Sequence, residues 1–202
     1  MFTLNYETGK IESWTGESFT ANRKLDVWTL TIRPGVEWSD GELFTADDVV
    51  FTINTLLNDS TPSLGDAASM QQWVKRVEKT GLLTVRFDLK SPNPRFKLDY
   101  FSVRVGSSMV ILPEHIWADQ DPSTFKFYDS NKGWPIGTGA YRLVSASLNE
   151  FVFDRRDDWW GAKTGFRPLP QPKRLIWVTT GVEENRALQA VNNQLDSITD
   201  IT

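Results

Sequence analysis

Cysteine is absent from the 202 residues, and histidine occurs once, at position 115. The first absence excludes disulfides, thiolate metal sites and cysteine nucleophiles together. It fits an exported protein that avoids stray thiol oxidation, although many cytoplasmic chains share it. The second leaves His115 as the only side chain with an ordinary pKa near neutrality. Metal centres usually draw on several His, Cys or clustered carboxylates. No run approaches the roughly 18 apolar residues that a membrane-spanning helix needs. The N-terminal MFTLNYETGK lacks the basic start and continuous apolar stretch of a signal peptide, so an export signal is expected to have been removed or to lie outside this sequence. Basic charge is scarce too. Lys and Arg number 22 against 26 Asp and Glu, a net charge of −4. That balance leaves no footprint for nucleic acid or an anionic membrane surface.

What is present is an ordinary globular mixture, 40% hydrophobic and 24% charged, long enough to bury a core without staples. Tryptophan is plentiful, with nine residues. Most are expected in the core. A few are candidates for lining a cleft, where flat rings stack on a ligand with defined geometry.

Residues 1–26 are polar and weakly patterned. Val27–Arg33 alternates in the manner of a strand, and Pro34-Gly35 makes a turn. Ser39-Asp40-Gly41 is a tight-turn sequence. Thr45, with Asp48 three residues on, forms a capping box with Asp in place of the usual Glu or Gln. Val49, Val50, Ile53, Leu56 and Leu57 then recur at helical spacing, which predicts a helix over 45–58. Residues 60–70 read as a loop with at most one helical turn. Strands are expected at 73–79 and 82–89, joined by Thr80-Gly81. Short helices are expected at 95–100 and from Pro113 to Trp117, with extended chain over 101–112 between them. Residues 119–133 read as a surface loop. Gly137–Ser147 is a turn entering a strand, and Asn149-Glu150 links it to a strand at 151–155. A strand over 175–179 and a helix over 183–193 complete the pattern. Hairpins and helices without regular βαβ alternation argue an α+β fold, a mixed sheet with hairpins and peripheral helices. No repeat and no clean domain boundary is visible. The sequence stops as a further strand begins, as a cut chain would.

The chemistry-bearing patterns are few. His115, between Glu114 and Ile116, reads as a surface or structural residue. Asp154, Asp157 and Asp158 are interrupted by Arg155 and Arg156 and read as a solvated charged face, without the spaced ligands of a calcium loop. Gly137-Thr138-Gly139 lacks the full phosphate-loop pattern and reads as a strand entry. No Gly-x-Ser-x-Gly elbow is present. A glycosidase-type carboxylate pair would meet only in three dimensions, and nothing in the sequence favours one.

Three separated segments resemble the oligopeptide- and dipeptide-binding family of extracellular solute-binding proteins. WTLTIRPGVEWSDGELFTADDVVFT, residues 28–52, is similar to the family's strand, turn and W-S-D-G-x-x-F-T-A-x-D-V helix opening. It departs at Arg33-Pro34-Gly35-Val36, where the family often has a basic-x-acidic turn. PIGTGAYRLVSASLNEFVFDRRDDWWGAK, residues 135–163, resembles the G-T-G-x-Y strand and a following W/Y-W-G segment. PKRLIWVTTGVEENRALQAVNNQLD, residues 172–196, resembles a strand and an N-R-A-L-x-A helix, with Asn193-Gln194-Leu195-Asp196 replacing a glycine-containing ending.

The resemblance implies a two-lobed, type II periplasmic-binding-protein-like molecule that closes around a solute for an ABC importer. Residues 1–202 would supply much of the first lobe. The second lobe, with many ligand contacts, would lie outside this sequence. It implies a binding protein and not an enzyme. No cofactor or metal is expected. The partners would be a peptide or oligosaccharide solute and ABC permease subunits. The protein would be a monomer, periplasmic or extracellular, tethered if it is a lipoprotein. Trp38, Asp40, Gly41, Gly137, Thr138, Gly139 and Tyr141 are read as structural motif residues. Trp73, Tyr100 and Trp134 are the expected ligand-facing residues, because each lies in or beside a loop or strand end. Trp159-Trp160 has two readings, stacking on a sugar face or packing under the loop at 168–172. The rival functions are a hydrolase with a carboxylate pair in a tryptophan-lined groove and a cell-surface interaction domain.

Overall fold

The computed structural model describes residues 1–60, 64–103, 109–179 and 181–197. It is an α+β arrangement of three small sheets. The expected tract over 101–112 and the chain end after residue 197 lie partly outside the described residues.

The core forms on one side of a four-stranded antiparallel sheet. Its strands are β3 (Gly16–Ala21), β4 (Val27–Ile32), β5 (Val74–Gly81) and β6 (Thr84–Leu89), in the order β3-β4-β6-β5. Alternation puts Trp28, Leu30 and Ile32 of β4 on one face, and register aligns Trp28 with Phe87 and Leu30 with Val85. All five are buried. Each such side chain contributes roughly 1.5–3 kcal/mol on leaving water. The opposite face carries Arg76, Glu78, Arg86 and Asp88 in a cross-strand ion-pair ladder. Helix α1 (Ala46–Leu57) lays Val49, Ile53 and Leu56 on the apolar side. Phe96 and Phe101 of α3 (Phe96–Phe101) pack around Phe19 and Phe87 at centroid distances of 4.9–5.9 Å.

The polar-looking N-terminal tract is structured, contrary to its weak pattern. Strand β1 (Phe2–Leu4) pairs antiparallel with β2 (Ile11–Ser13) and parallel with β7 (Ser102–Val103). These strands have two or three residues, too few to show a period, and β1 is also held by β7, which is remote in sequence. A second correction concerns residues 67–73, which form helix α2 (Ala67–Trp73); Trp73 ends that helix and does not begin β5. The β5–β6 turn falls at Leu82-Leu83 and not at Thr80-Gly81. The Leu83 carbonyl accepts the Ile32 N–H and the Leu82 carbonyl accepts the Ala46 N–H, so this turn ties down both β4 and α1.

Beyond the core, α4 (Glu114–Trp117) precedes a third sheet of order β10-β9-β8, built from β8 (Tyr141–Ala146), β9 (Glu150–Arg155) and β10 (Arg174–Val178). The short α5 (Trp160–Lys163) lies between β9 and β10, and α6 (Glu183–Val191) follows β10.

Candidate functional site

The turn before α1 and the helix itself work as one brace. Gly41 adopts φ +97°, a conformation that L side chains rarely adopt. Asp40 Oδ1 accepts the Glu42 N–H, while its other oxygen lies 2.8 Å from His115 Nε2. Thr45 caps α1, and Asp48 returns the bond by accepting the Thr45 N–H at 2.9 Å. The second Asp48 oxygen accepts the Glu114 N–H at 3.0 Å. One turn on, Thr52 donates to the Asp48 carbonyl and accepts the Leu112 N–H at 2.9 Å. The buried polar pair on α1 therefore fixes the backbone of residues 112–114, while Asp40 holds α4 from outside. Burial pushes the Asp48 carboxyl above its ordinary range, and the Thr45 and Glu114 N–H groups oppose that shift.

A second brace centres on Arg156, which is 4% exposed. Its guanidinium donates to the carbonyls of Gly139 at 3.1 Å, Gly137 at 3.4 Å and Trp38 at 3.3 Å. The Gly137 N–H donates to Ser39 Oγ. The indole N–H groups of Trp159 and Trp160 converge on the Thr138 carbonyl, at 3.0 and 2.7 Å. Tyr141 donates its hydroxyl to the Pro172 carbonyl at 2.8 Å. Burial lowers the Arg156 pKa, with Asp158 opposing. Arg156 is thus no part of a solvated charged face. Carbonyls of two turns replace water around it, and the two motif segments become one unit. Trp159 and Trp160 are buried as well, packed with Trp14 and Phe166. They offer no ring face to a solute.

Between the braces lies a depression of about 230 Å³. Met109–Pro113 form one wall and Ile136–Thr138 another, with Trp38, Phe44, Phe127, Met1 and Thr15 completing the lining. It is mainly apolar, with the Thr15 and Thr138 side chains as polar points. A second depression, about 420 Å³, is lined by Phe51, Thr55, Asn58, Asp59, Trp117 and Asp121 among others. Among the described residues, no group of three or more His, Cys, Asp or Glu stands close enough to hold a metal ion.

The three residues read as ligand-facing are not brought together at either depression. Trp73 closes α2, and its carbonyl accepts the Lys90 N–H. Tyr100 packs on Phe96 within α3. Trp134 comes nearest, its ring 5.7 Å from that of Phe127, which lines the smaller depression. Sequence reasoning missed the wall at 109–113 and the bracing by Asp48, Thr52 and Arg156. One signal was available: Asp48 and Thr52 lie four apart on the same stripe as Val49, Ile53 and Leu56, where a polar group needs a partner.

A family profile described as bacterial extracellular solute-binding proteins, family 5 Middle, matches residues 10–202. The oligopeptide-binding protein AppA of Bacillus subtilis is 31% identical over 134 residues, covering 66% of this chain and 23% of that protein. The nickel-binding periplasmic protein of Escherichia coli is 30% identical over 183 residues, covering 86% of this chain and 32% of that protein. Among solved structures, a periplasmic oligopeptide-binding protein of Thermotoga maritima bound to mannohexaose superposes with a TM-score of 0.74 at 25% identity. The match covers 96% of this chain and 34% of that one. The first curated relatives, binding proteins from Brucella species, are covered over only 20% of their length. The chain therefore spans between a fifth and about a third of these relatives.

Proposed function

The chain belongs to the bacterial extracellular solute-binding proteins, family 5, and from that premise we propose that it forms much of the first lobe of a protein that captures an oligopeptide for an ABC importer. The observation that carries this reading is the braced depression. Two motif turns, one capped helix and a buried arginine rigidly position one apolar wall at 109–113 and another at 136–138. Fixed supporting groups behind a concave surface are the arrangement by which binding sites keep their shape.

In this reading the wall is half of a clamp. A second lobe closes over the solute by hinge motion, and burial between the lobes favours the closed state. No bond is made or broken, so the protein is no enzyme. The closed form is read by permease subunits at the membrane, and the molecule works as a monomer in the periplasm or outside the cell. Trp134, through Phe127, stands at the solute-facing side, whereas Trp73 and Tyr100 line neither depression and have no part in this reading.

The apolar lining favours a peptide. Burial of Trp159 and Trp160 removes the argument that this pair stacks on sugar. An oligosaccharide remains the second reading because the Thermotoga maritima relative was crystallised with mannohexaose. A thermal-shift screen of the complete gene product with peptides of two to ten residues, manno-oligosaccharides and Ni²⁺ tests the assignment. A peptide at a hundredfold its Kd stabilises by about 2.7 kcal/mol. The predicted result is a concentration-dependent rise in Tm with peptides. A rise with the sugars alone, with Ni²⁺ alone, or peptide hydrolysis during the assay contradicts it.

A further inference from the structure

His115, the chain's single histidine, bridges two segments 75 residues apart. Its Nε2 lies 2.8 Å from Asp40 Oδ2, and the two side chains are 34% and 33% exposed. An ionised carboxylate only accepts, so Nε2 carries a hydrogen whether the ring is charged or neutral. The bond persists with pH, but its strength does not. A charge-assisted hydrogen bond is roughly twice as strong as a neutral one.

The two ends of this bond serve opposite walls of the smaller depression. His115 stands on α4, directly after the wall at 109–113, where the Leu112 and Glu114 N–H groups are held by Thr52 and Asp48. Asp40 stands in the turn that supports the wall at 136–138. There Ser39 Oγ accepts the Gly137 N–H at 3.3 Å, and the Trp38 carbonyl accepts from Arg156, which also donates to the Gly137 carbonyl. The pair thus ties one wall to the other.

The charges around His115 are mostly negative. Asp48 on α1 lies within its electrostatic reach. Glu114, its neighbour on α4, feels Asp47 and Asp48, with Lys79 opposing. Lys79 is itself paired with Asp47 at 2.6 Å. On the turn, Glu37 is paired with Lys163. Arg156, behind Asp40, has Asp158 at 3.6 Å. Glu42 and Asp119 are exposed. Such a field favours a positive ring, and imidazole is the side chain that ordinarily changes charge between about pH 5 and 8.

We infer that His115 is a pH-dependent positioning residue: its protonated ring draws α4 onto the Asp40 turn and tightens the two walls of the depression, and its deprotonation loosens them. The contribution is fully present at acid pH and is lost as pH rises through the imidazole titration. For a pair this exposed the effect is about two- to fivefold. That solute affinity follows the same profile rests on reading the depression as the solute site.

Residue-resolved hydrogen exchange tests it on the complete, solute-free gene product between about pH 5 and 8, corrected for the intrinsic rate. The reporters are the Leu112, Glu114 and Gly137 amides. Wild type is compared with His115→Gln, which keeps a donor without the charge, and with Asp40→Asn. The predicted result is protection that falls about two- to fivefold from the acid to the alkaline end in wild type and stays flat in both variants. A flat wild-type profile overturns the inference. So does a slope that survives His115→Gln, which would assign the titration to Asp48 or Glu114. Calorimetric titration with the best-stabilising peptide adds the solute arm, with Kd expected to weaken by the same factor as pH rises. A Kd that ignores pH while the amides respond contradicts the positioning role. Responsive amides with no peptide bound at any pH uphold the link between the walls and remove the functional reading. Flat amides with a bound peptide do the reverse.

Discussion

Arg156 shows how much one side chain carries here. It stands in a run of charges, Asp154 to Asp158, that looks solvated in sequence, and it is the buried member of that run, its guanidinium enclosed by carbonyls. Replacing it by Met leaves the carbonyls of Gly137, Gly139 and Trp38 without their charged donor. We expect Arg156→Met to cost about 3 kcal/mol, since hydrogen bonds to charged groups are the stronger class and buried acceptors left alone are penalised. Arg156→Lys should recover little, because an ammonium lacks the planar fork that reaches two turns at once. Urea denaturation checks both, as a lowered midpoint with an unchanged slope. A midpoint within error of wild type would remove Arg156 from the brace. The tryptophan pair teaches the same lesson at this scale. That Trp159 and Trp160 are aromatic neighbours was plain, but their convergence on the Thr138 carbonyl was not. That carbonyl is more than twenty residues away, and no spacing rule links an indole N–H to a remote backbone oxygen.

Among the elements, α1 was the most legible in the sequence. Its cap, acidic first turn and apolar stripe are all local signals, and the helix runs from Ala46 to Leu57 with the Thr45–Asp48 box formed. Strands β4 and β6 announced themselves by alternation. Strands β1 and β2 did not, because three-residue strands are made by their partners. The part of the site built on α1 was half legible. The stripe was visible, but the reach of Asp48 to Glu114 spans 66 residues. This bond carries a pH signature. Burial raises the Asp48 pKa above its ordinary value of 3.8. Between that value and the raised one, the folded chain holds a proton that the unfolded chain has released. Asp48 therefore contributes most stability at low pH, and the contribution is lost as pH rises through the folded pKa. Asp48→Asn removes the titration and weakens one of its two acceptor roles, at a cost of about 1 kcal/mol. The stability difference, wild type minus Asp48→Asn, should fall as pH rises through this window. Carboxylates pulled downward, such as Asp88 and Asp154, act in both proteins and cancel. A difference that stays flat with pH would show that burial does not govern Asp48.

At the scale of the whole molecule, the core sheet and its helices hold most of the buried apolar side chains, whereas the third sheet and α6 present apolar side chains to solvent. Phe151, Ile176, Trp177, Leu188 and Val191 are all exposed. The account's central claim is that the braced depression belongs to a clamp that closes on an intact solute. Small-angle X-ray scattering of the complete gene product, with and without the best-stabilising peptide, tests it most directly when the peptide is recovered and weighed afterwards. The account predicts a smaller radius of gyration with peptide bound and a recovered peptide of unchanged mass. An unchanged radius at saturation, or a cleaved peptide, would contradict it.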